Sequence, residues 1–262
     1  MGGSQVFLEP GERMSVHDLL KALVVVSAND ATVALGEYVY GSEDSFIAAM
    51  NARAAELGCE NSNFVNTNGL PAEGHYSCAL DVAIVTRELM KHEFIFGFTG
   101  IWMDTIRNGA FGLANTNKLI RFYKGATGMK TGFTSEAGYC LSGTATRDGM
   151  SLIAVVLGGS TSKLRFAAAK GLLDYGFANY RLLSNRQLSP TARFRRLRSR
   201  PRAWRSCAKN PPPRTTFRQK SRWRKALPPR SNPARRSVSC AITSAARRSP
   251  PRLCLLPPPS RA

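Results

Sequence analysis

The uneven distribution of charge along the chain is the feature that most constrains how it can fold. All 17 Asp and Glu residues lie within residues 1–180, together with 14 Lys and Arg. Residues 181–262 contain the other 23 Lys and Arg, no acidic residue and 13 of the 15 prolines. Because proline interrupts helices and sheets and like charges repel each other, this composition predicts a folded part over residues 1–180 and a disordered, Arg/Pro-rich tail.

The basic tail, residues 181–262, is open to two interpretations. A functional arm would bind nucleic acid or an anionic membrane surface, with Trp204 and Trp223 stacking on bases. The lack of any acid beside a domain that holds 17 instead favours unselected translation of GC-rich DNA after a frameshift near residues 180–188. We favour the frameshift and therefore expect no specific nucleic acid partner.

Hydrophobic periodicity predicts helices in the first part of the chain and strands after them. Ser15 fits the cap of a buried helix that ends near Ser27, and Asn29 or Asp30 begins a second helix that runs to about Tyr40. Further helices are predicted over residues 43–57, 79–91 and 163–178, strands over 130–133, 138–146 and 150–158, and irregular structure over 99–127. The order predicts an α+β fold with helices packed on an antiparallel sheet.

Cofactor, metal and membrane signals are weak in this sequence. None of the six cysteines forms a C-x-x-C pair, and His17, His75 and His92 lack the H-E-x-x-H spacing, so we expect no metal and no cofactor. No apolar run reaches the ~18 residues of a membrane span. Residues 1–5 lack the basic start and apolar stretch of a signal peptide, which taken literally predicts a cytoplasmic chain.

Two short motifs carry the chemical signal. Ser27-Ala28-Asn29 follows an apolar helix, and Lys130-Thr131-Gly132 enters the predicted sheet. Taken singly, the first is explained by a helix end and the next helix cap, and the second by an edge strand. Taken together, they occur in the order of the second and third motifs of the S-x-x-K, S-D-N and K-T-G signature of β-lactamases and penicillin-binding proteins.

Three further stretches strengthen the match to that signature. They are residues 69–77 (GLPAEGHYS), residues 115–119 (NTNKL) and residues 125–132 (GATGMKTG). With the two motifs, they make residues 1–180 resemble the low-molecular-weight, penicillin-binding serine D-Ala-D-Ala carboxypeptidases, which trim the terminal D-Ala from peptidoglycan stem peptides. The resemblance implies a β-lactamase/transpeptidase-like fold, an antiparallel sheet flanked by helices, and hydrolysis through a serine acyl-enzyme.

The resemblance implies catalytic roles for Ser27 and Lys130. Ser27 matches the serine that relays a proton toward the leaving amine, and Lys130 matches a lysine that supports proton transfer and holds negative charge nearby. Asn29 matches the asparagine that orients the substrate amide. Ala28 departs from the S-D-N spelling, so the middle position adds no support.

Four more residues have implied roles in substrate binding. Thr131 is similar to the hydroxyl that binds the substrate carboxylate, and Gly132 lets a peptide lie against the strand. The backbone N–H of Phe133 falls where one donor to the oxyanion is expected. Arg165 matches an arginine that helps bind the terminal carboxylate, although a solvated arginine at a helix start explains this position equally well.

The first motif of the signature, S-x-x-K, does not occur ahead of Ser27. Phe7 and Asp18 stand three residues after Ser4 and Ser15, the serines upstream of it. The two S-x-x-K strings in the sequence, at residues 160–163 and 206–209, both follow K-T-G. We therefore expect an N-terminally truncated domain whose missing piece holds the signal peptide, the first strands and the catalytic Ser and Lys, and we expect the chain as written to be inactive.

The partners and location expected from the resemblance are those of a cell-envelope enzyme. They are peptidoglycan pentapeptides and β-lactams in an extracytoplasmic setting; in the family a small β-rich domain and often a membrane-anchoring helix follow, and neither is visible here. Three alternatives stay open: a non-catalytic peptidoglycan-binding protein, a class A β-lactamase-like hydrolase, which would need a deacylating Glu, and a basic nucleic-acid-binding protein.

Overall fold

The computed structural model describes residues 2–182, 207–209 and 239–246. Its α-helices are α1 (Val16–Lys21), α2 (Asn29–Tyr40), α3 (Glu43–Glu56), α4 (Ala79–Leu89), α5 (Phe96–Thr99), α6 (Leu119–Phe122) and α7 (Ser162–Asn179), with a π-helical turn at Ala22–Val26 and a 3-10 turn at Glu93–Ile95. Its strands are β1 (Met103–Ile106), β2 (Phe111–Ala114), β3 (Ala126–Thr134), β4 (Gly138–Arg147), β5 (Met150–Gly159), β6 (Tyr180–Leu182), β7 (Cys207–Lys209) and β8 (Ser239–Ala246).

The main sheet has four antiparallel strands in the order β3-β4-β5-β8. Asp148-Gly149 closes the β4–β5 hairpin, and both residues have positive φ, of 48° and 76°, as this tight turn requires. Within the described residues, β3 has a strand on one side only. An open edge at β3 leaves backbone donors and acceptors for an added peptide strand.

Helices cover both faces of this sheet because alternate residues of β5 point to opposite sides. On one face, α7 buries Leu173 against Leu152 of β5. On the other face, α4 buries Ala83 against Ile153 and Val155. The apolar β5 is buried over most of its length, which places the domain core at the centre of the sheet.

The helix α7 approaches the sheet so closely at Gly176 that a side chain would not fit. A Cβ built there would lie 2.5 Å from Leu152 Cδ1. We expect Gly176→Ala to lower the free energy of unfolding by about 1–2 kcal/mol, because overpacking outweighs the helix propensity gained. Denaturant unfolding measures the change. Gly97→Ala, at a helical glycine with no atom within 4 Å of its Cβ, is the matched control, and equal effects at both sites would contradict the close packing.

The segment before α1 is tied to the helical part by side chains. The Asp30 carboxylate accepts hydrogen bonds from the backbone N–H of Val6 at 3.2 Å and of Leu8 at 3.0 Å. Arg107 donates to the carbonyls of Val6 and Phe7 at 2.7 and 3.0 Å. These bonds hold the segment against the start of α2, where the Ser27-Ala28-Asn29 motif lies.

Most predicted elements are confirmed, and the prediction of irregular structure over residues 99–127 is wrong. That stretch contains the β1–β2 hairpin and the helix α6. The strands were missed because each has only four residues and the turn between them is polar, with positive φ at Arg107, Asn108 and Gly109. The first predicted helix also ends in a π-helical turn that hydrophobic periodicity does not indicate.

The described part of the predicted tail contains short strands. β6 pairs with β7, and β8 pairs with β5 along its whole length. The β8 sequence SCAITSAA carries no charge and no proline, which suits a strand. The remaining tail, including Trp204, Trp223 and Ser206, lies outside the described residues. Among the described helices, none combines the length and apolar character needed to cross a membrane.

Candidate active site

Ser27 occupies a strained turn between the π-helical turn and α2. Its backbone is left-handed, with φ 64° and ψ 41°, and the N–H groups of Ser27 and Ala28 both donate to the Ala22 carbonyl, the second at 3.1 Å. A non-glycine residue in this region costs about 1–2 kcal/mol, and such residues concentrate at functional sites. The half-buried Ser27 side chain is thereby placed at the junction of two helices.

Asn29 begins α2 and is buried, with its side chain turned toward the N-terminal segment. Its Nδ2 donates to the Gly2 carbonyl at 2.7 Å, and its backbone N–H donates to the Ser4 carbonyl at 2.8 Å. Gly3 has φ +78°, and a Cβ there would lie 2.6 Å from Asn29 Nδ2. Only glycine fits this close approach, so the segment at residues 2–4 packs directly against the Asn29 side chain.

Lys130 lies in the edge strand β3, and its ammonium group is poorly solvated. Burial, followed by the positive charge of Arg165, lowers the pKa of Lys130 to about 8. Its Nζ donates to the Thr131 carbonyl at 3.0 Å. Among the described residues, no carboxylate lies within 4 Å of this ammonium. A lysine of this kind can exchange a proton near neutral pH and attract an anion.

Thr116 joins the two motifs. Its hydroxyl is 2.5 Å from the Thr131 hydroxyl, and its backbone N–H donates to the Val25 carbonyl at 3.3 Å, two residues before Ser27. The two segments also share an apolar cluster, in which Val24 of the π-helical turn and Met129 of β3 are both buried. Thr116 therefore contacts the 130–132 strand at Thr131 and the backbone two residues ahead of Ser27.

Gly132 and Phe133 continue the exposed edge of β3. The Phe133 ring is 59% exposed and lies 4.3 Å from the Tyr139 ring, measured between centroids. These two aromatic residues border a hollow of about 380 Å³ that is otherwise lined by small residues, among them Gly158, Gly159 and Ser160. A flat, open strand edge beside this hollow suits an extended peptide.

Arg165 is buried, so the interpretation as a solvated arginine at a helix start is wrong. It is 6% exposed, because its aliphatic part packs under the sheet and its guanidinium lies over the rings of Tyr139 and Phe166. One terminal nitrogen donates to the carbonyls of Gly132 and Cys140 at 3.1 and 3.0 Å. Burial lowers the pKa of Arg165. The side chain thus supports the backbone of β3 from behind.

The role of Thr116 was missed by the sequence analysis. Residues 115–119 strengthen the family resemblance, but the sequence pattern by itself assigns no chemistry to Thr116. The alternation of asparagines around Thr116 was the available signal, because short amides commonly bond nearby backbone groups and fix a loop. The structure bears this out, since Asn115 Oδ1 accepts from the Asn117 N–H at 2.8 Å.

Comparison with known proteins places these features in context. A sequence model described as D-alanyl-D-alanine carboxypeptidase matches residues 1–161. The chain is 50% identical over 183 residues to the D-alanyl-D-alanine carboxypeptidase DacF of Bacillus subtilis, an overlap of 69% of this chain and 47% of that protein.

Solved structures show the same similarity. Penicillin-binding protein 6B from Escherichia coli superposes with a TM-score of 0.65 and 36% identity, over 70% of this chain and 58% of that one. The ampicillin-bound form of penicillin-binding protein D2 from Listeria monocytogenes gives a TM-score of 0.61 and 35% identity, over 68% and 74%. The chain spans about half the length of the curated relatives it matches.

Proposed function

Since the chain belongs to the D-alanyl-D-alanine carboxypeptidase family, we propose that residues 1–180 carry two walls of a groove for the D-Ala-D-Ala end of peptidoglycan stem peptides. The 27–29 turn forms one wall and the β3 edge at residues 130–133 forms the other. Residues 181–262 are proposed to form a tail to this unit, and within that tail β8 pairs with β5 of the sheet. The setting is the cell envelope, where family members act on peptidoglycan.

In the proposed reaction, the serine of an S-x-x-K motif attacks the carbonyl between the two D-Ala residues. An ester bond forms and the C–N bond breaks, while the serine proton passes to the amine of the leaving D-Ala. Water then cleaves the ester and returns a proton to the serine. Ser27 relays the proton toward the leaving amine, and Lys130 supports that transfer with an ammonium whose pKa of about 8 lies near neutrality.

The other proposed roles concern binding. Thr131 donates its hydroxyl to the terminal carboxylate, Asn29 orients the peptide amide, and the Phe133 N–H donates to the oxyanion. Gly132 leaves room for the peptide backbone beside β3. Arg165 adds positive charge behind the strand, through its contact with the Gly132 carbonyl at 3.1 Å.

The observation that carries the proposal is the Thr116 bridge between the two motifs. It supports a single groove beside the Lys130 ammonium, which has no carboxylate within 4 Å among the described residues, and recognition of an anionic peptide end needs such a positive charge. The β-lactam partners follow from the same groove, since the Listeria relative is solved in an ampicillin-bound form.

The alternatives have less support. A class A β-lactamase-like hydrolase would need a deacylating Glu, whereas the family match and the solved neighbours are D-alanyl-D-alanine carboxypeptidases and penicillin-binding proteins. A nucleic-acid-binding function would depend on the tail, most of which lies outside the described residues. A peptidoglycan-binding protein without catalysis would use the same groove, and the release of D-Ala distinguishes it from an enzyme.

We expect the purified chain to bind diacetyl-L-Lys-D-Ala-D-Ala about tenfold more tightly than the C-terminal amide of the same peptide. The carboxylate gains charge-assisted hydrogen bonds that the amide lacks. NMR titration measures both dissociation constants. Thr131→Val should remove the preference, whereas Thr105→Val, at an exposed threonine of β1, should leave it unchanged. Equal affinity of the wild-type chain for acid and amide would contradict the proposed function.

A further inference from the structure

The hydroxyl pair of Thr116 and Thr131 is the most constrained contact along the proposed groove. The two oxygens are 2.5 Å apart, a distance at which one hydroxyl must donate and the other accept. The contact joins the loop before α6 to the edge strand β3. The direction of this single hydrogen bond decides whether the Thr131 hydroxyl directs its hydrogen or an oxygen lone pair toward a ligand.

The loop that carries Thr116 is held rigidly on both sides. Asn115 is 5% exposed and its Nδ2 donates to the Ile101 carbonyl at 2.7 Å. Asn117 is fully buried, and its Oδ1 accepts from the Leu119 N–H at 3.1 Å. Leu119 is itself buried in the core beneath the sheet. Thr116 is the exposed residue between the two buried asparagines, so the loop holds its hydroxyl in one position.

We propose that Thr116 is a positioning residue that sets the Thr131 hydroxyl as a donor toward the terminal carboxylate of the ligand. This inference rests on the proposed function. A carboxylate only accepts hydrogen bonds, so Thr131 must give its proton to the ligand and take a proton from another donor. The Thr116 hydroxyl supplies that second bond, and donation into Thr131 also polarises the Thr131 O–H toward the anion.

The same bond makes the groove selective for an acid over an amide. A C-terminal amide offers both an oxygen and N–H donors, so it can form a hydrogen bond with Thr131 whether the Thr131 hydroxyl donates or accepts. A carboxylate can form this bond only when the Thr131 hydroxyl donates. Removal of the Thr116 hydroxyl therefore weakens acid binding and leaves amide binding nearly unchanged.

The test compares Thr116→Val with Thr116→Ser in the 262-residue chain. Valine keeps the shape and the backbone N–H bond to Val25, and it loses only the hydroxyl. Serine keeps the hydroxyl. By NMR titration with diacetyl-L-Lys-D-Ala-D-Ala, we expect Thr116→Val to raise the dissociation constant about fivefold, with less than a twofold change for the C-terminal amide. Thr116→Ser should bind both peptides as the wild type does.

The outcomes separate this inference from the proposed function. Wild-type affinity of Thr116→Val for the acid, with the wild-type preference for acid over amide intact, overturns the inference alone. Equal loss for acid and amide also overturns it, because a merely structural role would act on both peptides. A wild-type chain that shows no preference for the acid overturns the proposed function and the inference together.

Discussion

The 262-residue chain is expected to release D-Ala from a D-Ala-D-Ala peptide about 10⁶-fold more slowly than a family member with S-x-x-K ahead of its second motif. The reason is chemical, because acyl transfer needs an activated hydroxyl and the groove proposed here supplies binding and proton relay only. Within these residues, no serine ahead of Ser27 has a lysine three positions later. Coupled detection of free D-Ala measures the rate.

The structure gives no support to the S-x-x-K string at residues 160–163 as a substitute. Ser160 is exposed just after the end of β5, and Lys163 is exposed at the start of α7. A productive pair would need the lysine beside the serine, in a site that lowers its pKa.

An alanine variant tests the expectation directly. Ser160→Ala should leave the basal rate of D-Ala release unchanged, because Ser160 is not expected to attack the substrate. Measurable release that penicillin blocks, and that Ser160→Ala abolishes, would show a nucleophile within these 262 residues and would refute the expectation.

Features that depend on neighbouring residues can be predicted from this sequence, whereas contacts between distant segments cannot. The hairpin at Asp148-Gly149 and the stripe of α7 were predictable, because turn chemistry and periodicity are local. The prediction that Ser27 and Lys130 share one site rests on the order of two motifs and not on a physical pattern, and it stays a prediction.

What the sequence could not predict depends on packing between distant segments. Arg165 looks like a solvated helix-start residue because charge at a helix end is usually exposed, yet the rings of Tyr139 and Phe166 and two carbonyls hold it in the interior. Thr116 shows no local signal of its partner 15 positions away. Strand β8 was missed because its neighbours in sequence are basic and rich in proline, whereas its neighbour in space is the apolar β5.

Lys130→Met is expected to make the fold more stable at neutral pH, although it removes a residue of the proposed site. The pKa of Lys130 falls from 10.5 to about 8 in the folded state, so folding works against its charged form. A shift of this size corresponds to about 3 kcal/mol. Methionine has a similar length and no charge, and it forfeits the bond from Nζ to the Thr131 carbonyl, worth about 1 kcal/mol. The net gain at pH 7 is about 2 kcal/mol.

The pH dependence of the difference distinguishes this cause from any other. Below pH 8 Lys130 is charged in both states and the wild type bears the full penalty. Between pH 8 and about 10.5 the unfolded chain binds the proton and the folded chain has lost it, so wild-type stability rises with pH relative to the variant. The advantage of Lys130→Met should therefore shrink steadily above pH 8 and be gone, or reversed, near pH 10.5.

Guanidinium unfolding of both proteins at pH 7 and at pH 9.5 measures the effect, with Lys118→Met as the control at an exposed lysine, expected to change stability by less than about 0.5 kcal/mol at either pH. A Lys130→Met variant that is less stable than the wild type by the same amount at both pH values would mean that the ammonium is well solvated. If the stabilisation is found, Lys130 is held at a cost to the fold, as expected of a side chain kept for its charge in a groove.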